Sequence, residues 1–383
     1  MTTLSTPSGA PHPARLAPNP RLDRAHPYPG ALRPILSLAA EEVARREISS
    51  WPGYAPTPLR DLQSIARELG LAAVAFKEEQ HRFGLRSFKA LGGAYAVKKL
   101  AAAPGGPPAA VCCATDGNHG RSVAWGAREA GLRCVIYIHE GVSEGRAQAI
   151  RGFGAEVRRV GGNYDDSVRI AAADAAREGW TVVSDTSWEG YQDIPRDVMQ
   201  GYGVMVGEAI AQGGGGARTP THVFVQGGVG GIAAATVAHL WERFGAARPR
   251  VVVVEPDKAD CLTRSAEQGR VVHLSGDLDT IMAGLSWASP RRSPGPCSTR
   301  APMPSWRSAT RRSRRRCARW PRWAWSAASP AWPASRGCGS RQRTGRCARR
   351  LASTRPRASF SSARRARRTP RSTRNSWAKA RSA

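Results

Sequence analysis

The chain has 383 residues, 58 Lys and Arg against 29 Asp and Glu, and a formal net charge of +29 at pH 7. That excess excludes an ordinary acidic or neutral enzyme along the whole length. The charge is not spread evenly: the last 97 residues, from Trp287, hold 27 of the basic residues and no acidic one, leaving 31 against 29 in the first 286.

Residues 1–34 are rich in Pro, Ala and Arg and lack an apolar signal region, so they are expected to form a flexible arm. From residue 35 onward, short apolar runs at 72–76, 110–114, 134–138, 181–184, 222–226 and 250–255 read as buried strands, with amphipathic helical stretches between them. Several helices stop at a glycine directly before the next strand, as at Gly70, Gly131 and Gly154, where a left-handed C-terminal cap is needed. Repeated strand, helix, glycine, strand units imply an α/β chain with parallel-rich sheets flanked by helices. The glycine run at 213–216 reads as a return point between two domains. No stretch approaches the roughly 18 to 20 apolar residues that cross a bilayer. Cys112, Cys113, Cys134 and Cys261 show no C-x-x-C spacing, so reduced thiols, a cytoplasmic compartment and no metal centre are expected.

Three motifs follow in order. In Ser87-Phe88-Lys89-Ala90-Leu91-Gly92-Gly93, Lys89 stands where a helix begins; a partly dry pocket would lower its amine pKa and suit it to a Schiff base. Taken alone, a solvated surface lysine is the simpler reading. In Thr115-Asp116-Gly117-Asn118-His119-Gly120, a polar turn follows a parallel strand, where open α/β sheets bind ligands; an Asx-type turn with an N-cap is the alternative. In Gln226-Gly227-Gly228-Val229-Gly230-Gly231, a strand leads through glycines into a helix N-terminus, a place for a phosphate. The same residues, with Glu255 at the end of the next strand, also match a dinucleotide fingerprint.

Together the motifs suit a phosphorylated aldehyde: a lysine for the aldehyde, an amide for the ring hydroxyl and a glycine nest for the phosphate. The set resembles pyridoxal-phosphate enzymes of fold type II. Asp116 in Thr-Asp-Gly-Asn-His-Gly, then Ser184-Asp185-Thr186-Ser187-Trp188-Glu189-Gly190-Tyr191, Met199-Gln200-Gly201-Tyr202, Val254-Glu255-Pro256-Asp257-Lys258 and Thr280-Ile281-Met282-Ala283-Gly284-Leu285 are similar to the diaminopropionate ammonia-lyases, from about Pro34 to Leu285. The resemblance implies α,β-elimination of 2,3-diaminopropionate to pyruvate and two ammonia, with serine or threonine dehydration as the alternative. It implies pyridoxal 5′-phosphate on Lys89, Asn118 at the ring hydroxyl, Gly227, Gly228, Val229, Gly230 and Gly231 at the phosphate, and Asp116 and Asp185 as acid/base groups. It also implies a cofactor domain of 35–100 with 215–286, a small domain of 101–214, a small amino-acid substrate and a homodimer.

From residue 287 there is no Ile or Val, one Leu and one Phe, although 7 of the 12 Trp lie there. So few aliphatic residues cannot offset the entropy of ordering a charged segment, and the tail is expected to lack native structure. Regrouping its codons by one base permits Cys-Gly-Glu-Pro from Trp287-Ala288-Ser289-Pro290, and family-like sequences again over 297–305, 326–338 and 363–370. A frameshift explains both these matches and the missing acids. The alternative is a basic tail that holds nucleic acid nonspecifically through its charge.

Overall fold

The apolar run at 111–114 becomes the middle of a fully parallel sheet. In the computed structural model, β4 (Val111–Ala114) lies between β5 (Cys134–His139) and β7 (Thr181–Val182), and β6 (Glu156–Val160) pairs with the far side of β5. The helices of this unit are α4 (Asn118–Glu129), α5 (Glu144–Arg151) and α6 (Tyr164–Glu178). A second sheet has the order β1-β10-β9-β8, from β1 (Arg15–Pro18), β8 (His222–Gln226), β9 (Arg250–Pro256) and β10 (Trp306–Arg311); β8, β9 and β10 run parallel, and β1 is antiparallel to β10. Its helices are α8 (Gly231–Phe244) and α9 (Cys261–Gln268). A two-stranded ribbon of β2 (Leu59–Asp61) and β3 (Ala75–Lys77) brackets α2 (Gln63–Glu68). The described residues are 15–19, 22–115, 117–215, 219–274, 280, 282–285 and 306–311. All lie in the first of the chain's two units, 1–332. The sheet of β4 to β7 falls within 101–214; β8 and β9 fall within 215–286.

Three further helices, α1 (Leu38–Ser49), α3 (Lys89–Ala101) and α7 (Asp193–Gln212), complete the core. Helix α3 is buried from Ala90 through Val97 because α4 and α7 cover opposite sides of it. Small residues make this possible. A Cβ on Gly201 would stand 2.0 Å from the Leu91 carbonyl oxygen, one on Gly126 2.6 Å from Ala94 Cα, and one on Gly92 2.4 Å from the Tyr202 ring. The small residues after Lys89 therefore let α3 approach both neighbours closely.

One sequence expectation is corrected. Residues 22–36 are not a free arm: Trp241 Nε1 donates to the His26 carbonyl at 2.8 Å, Arg248 donates to the Arg24 carbonyl at 2.8 Å, and Tyr28 packs edge-on against Trp241 at 5.6 Å. Aromatic burial and satisfied carbonyls hold a segment whose Pro and Arg content alone suggests freedom. Of the residues after 286, the described 306–311 pair as β10 beside β9. Parallel pairing uses backbone donors and acceptors, so it does not require the aliphatic side chains the segment lacks. The rest of 287–383 lies outside the described residues. The four cysteines of the first 286 residues are buried and free.

Candidate active site

The site is assembled at the N-terminus of α3. Upstream of it, Arg82 donates to Glu79 and to Glu208 of α7, each at 2.8 Å, and Lys77 donates to Glu208 at 2.6 Å. This buried network ties the chain before α3 to α7, and it adjoins backbone in the left-handed region at Phe83 (φ 48°) and Arg86 (φ 55°). Such conformations are costly for non-glycine residues and persist where their surroundings fix them. Ser87 Oγ then accepts the Lys89 N–H at 3.2 Å, which starts the helix.

Lys89 Nζ donates to Asp185 Oδ2 at 2.5 Å, with side-chain exposures of 23% and 6%. Burial pushes the lysine pKa down, but the Asp185 carboxylate and the Tyr202 hydroxyl outweigh it, and the amine stands above its ordinary range. The sequence led to the opposite expectation, a lowered pKa. The reason for the difference is the carboxylate, which favours the charged amine. Asp185 is held in place by Tyr191, whose hydroxyl donates to the Val182 carbonyl at 2.8 Å and accepts the Ser184 N–H at 2.9 Å.

Across from Lys89 lies the start of α4. Thr115 Oγ1 accepts the N–H groups of Gly117 and Gly120 at 3.0 and 3.1 Å, so the threonine hydroxyl holds this turn. Asn118 is the first residue of α4 and half-buried. His119 Nε2 donates to the Val183 carbonyl at 2.9 Å and its Nδ1 is 4.0 Å from Asp185 Oδ2, fixing the proton on Nε2. Ser122 Oγ donates to the Lys89 carbonyl at 2.6 Å and accepts the Ala94 N–H at 3.0 Å, which stitches α3 to α4. Asp116 lies outside the described residues.

The third motif forms the turn between β8 and α8. Gly228 and Gly230 take left-handed conformations (φ 63° and 99°), and a Cβ on Gly227 would stand 2.6 Å from Glu255. Gly230 caps α8 without a side-chain hydrogen bond. The first N–H groups of α8, at Gly231, Ile232 and Ala233, have no carbonyl within the helix to bond and carry the positive end of its dipole. A donor set of this kind fits a phosphate, and its neighbourhood fits the rest of the cofactor. Gly231 and Lys89 meet on one tyrosine: a Cβ on Gly231 would be 3.7 Å from the Tyr202 ring, and Lys89 Nζ is 5.4 Å from that ring's centroid. Lys89, Asp185 and the glycine turn, far apart in sequence, thus come together around Tyr202.

The dinucleotide reading fails on Glu255. Its carboxylate is fully buried and accepts the Leu262 and Thr263 N–H groups at 3.0 and 2.8 Å and the Thr263 hydroxyl at 2.7 Å. It serves the start of α9 and cannot reach a ribose. Tyr202, His119 and Ser122 were missed as individual residues, although all three stand within or beside motifs the sequence singled out. A polar aromatic among the small residues of Met199-Gln200-Gly201-Tyr202 was the available signal.

A family model described as pyridoxal-phosphate dependent enzyme matches residues 50–299. The diaminopropionate ammonia-lyase of Escherichia coli (strain K12) is 39% identical over 279 residues, 69% of this chain and 70% of that protein. The biosynthetic L-threonine dehydratase of Pasteurella multocida (strain Pm70) is more distant, 30% identical over 263 residues, 68% of this chain and 45% of that protein. Among solved structures, diaminopropionate ammonia-lyase from Escherichia coli in complex with D-serine superposes with a TM-score of 0.69 at 34% identity, covering 78% of this chain and 77% of that one.

Proposed function

The chain belongs to the pyridoxal-phosphate-dependent enzymes of fold type II and, within them, to the diaminopropionate ammonia-lyases; on that premise we propose how its own residues serve the reaction. The reaction is the α,β-elimination of 2,3-diaminopropionate, which with one water yields pyruvate and two ammonia. Bound at this site, pyridoxal phosphate supplies the electron sink for charge developing at the substrate α-carbon. Lys89 would carry the cofactor through its amine. The glycine turn would hold the phosphate through the N–H groups at Gly228, Val229 and Gly231, whereas those of Gly227 and Gly230, expected to join them, already donate to the Val254 and Gly227 carbonyls at 2.9 and 3.3 Å; Asn118 would orient the ring through its hydroxyl.

The observation that carries this reading is the 2.5 Å contact between Lys89 and Asp185. It places a proton donor and a proton acceptor side by side, which suits proton exchange between the lysine amine, the carboxylate and the substrate. Asp116 is the second acid/base group of the proposal, serving the opposite face of the α-carbon. An anionic pocket also suits a substrate with two ammonium groups. The division into a cofactor domain of 35–100 with 215–286 and a small domain of 101–214 belongs to the same reading.

Residues 287–383 are, in this reading, the product of a one-base shift. The abrupt loss of acidic and aliphatic residues at one position supports it, as do the family-like sequences recovered by regrouping. The frame-restored chain is proposed to act as a homodimer in the cytoplasm. The tail as written binds nucleic acid only through charge, and that binding weakens steeply with salt. Among the described residues no helix is long and apolar enough to cross a membrane.

Pyruvate release tests the assignment. The frame-restored chain should give a higher kcat/KM with diaminopropionate than with serine or threonine, and the chain as written should release little from any of them. Preference for serine or threonine would move the chain to the dehydratases, and equal activity of the two chains would show that the tail is genuine.

A further inference from the structure

We infer that Tyr202 is a positioning residue for Lys89: its hydroxyl is the second hydrogen-bond partner of the Lys89 amine, taken up when a substrate ammonium occupies Asp185. The inference rests on the reading of Lys89 as the cofactor-bearing lysine. Tyr202 is 1% exposed; its buried hydroxyl makes no hydrogen bond of good geometry, and the cation that acts on it is the Lys89 amine. An unmatched buried hydroxyl is destabilising, and its presence in a folded protein calls for a functional explanation. Packing does not supply one. The ring is already held edge-on by Phe88 at 5.0 Å and abuts Gly92 and Gly231, and a phenylalanine would fill that space equally well.

What the hydroxyl adds is a polar group beside the amine. Lys89 Nζ lies 5.4 Å from the Tyr202 ring centroid, and the amine, hydroxyl and Asp185 carboxylate influence one another's charge. Burial pushes the Tyr202 pKa upward, although Lys89 opposes this, so the group stays protonated and can donate as well as accept. Asp185 is the amine's partner in the structure. A substrate with a second ammonium competes for that carboxylate, and a buried amine that loses its partner is costly. Tyr202 is placed to meet that need. Gly92 leaves room for the ring, and Gly201 allows α7 to approach α3 closely enough to deliver it.

The experiment compares Tyr202→Phe with the parent sequence in the full chain, both as written and frame-restored. Without cofactor, Tyr202→Phe should melt at the same temperature or a degree or two higher, roughly as expected for removing an unmatched hydroxyl. In the restored form kcat should fall about 10- to 100-fold with KM within roughly twofold. The absorbance of the Lys89-linked cofactor should change its pH dependence. In an Asp185→Asn background the loss should be non-additive, as expected for two partners of one amine. An unchanged kcat together with an unchanged pH dependence would overturn the inference while leaving Lys89 in place. Cofactor trapped on another lysine in the parent chain would instead overturn the reading beneath it.

Discussion

At the scale of single residues, the chemistry of the site depends on pairs the sequence does not place together. The sequence singled out Lys89 by its motif and Asp185 by resemblance, but they are 96 positions apart and meet only because β7 ends beside the start of α3. That contact reversed the expected direction of the lysine pKa. Because the amine is raised, its pairing stabilises the fold below the ordinary lysine pKa of about 10.4 and loses that contribution only as pH rises through the still higher folded value. Replacing Asp185 with Asn should remove both the charge and the proton acceptor while keeping the shape. We expect kcat to fall about 10²- to 10⁴-fold for at least one substrate enantiomer, with the fold retained. A variant as active as the parent with both enantiomers would show that Asp185 only anchors the lysine.

Among the elements, the strands at 111–114, 134–139 and 250–256 were legible because they are apolar runs that are largely buried, and 222–226 was legible from its apolar run although Phe224 is exposed. Strand β6 was not among the runs named, though the glycine stop at Gly154 pointed to a strand there. Its side chains include Arg158 and Arg159, as an edge strand permits; Arg158 pairs with Asp174 at 3.0 Å and stacks over Trp180 at 5.3 Å. Such pairing depends on tertiary neighbours, and an apolar pattern cannot reveal it. The glycine turn was legible as a strand-to-helix turn suited to a phosphate, with a dinucleotide as the alternative; the burial of Glu255 argues against the dinucleotide. Gly230 at φ 99° is the most demanding position in that turn. Gly230→Ala should destabilise the chain by about 1–2 kcal/mol and weaken cofactor binding measured by titration. Unchanged cofactor affinity would show that the turn does not hold the phosphate.

For the whole molecule, composition divided the chain at residue 286 more sharply than any motif did. It did not reveal that residues 22–36 would pack on α8, or that 306–311 would lie beside β9, since both depend on backbone groups and a few aromatic contacts. Order of motifs, not any one motif, carried the family, because each alone has a common structural explanation. The central claim is that this order converges on one lysine that bears pyridoxal phosphate. Borohydride reduction of the cofactor-loaded, frame-restored chain, followed by peptide mapping, tests it most directly. A single pyridoxyl group should appear on Lys89; a label on Lys77 or Lys98 with Lys89 unmodified would contradict the claim.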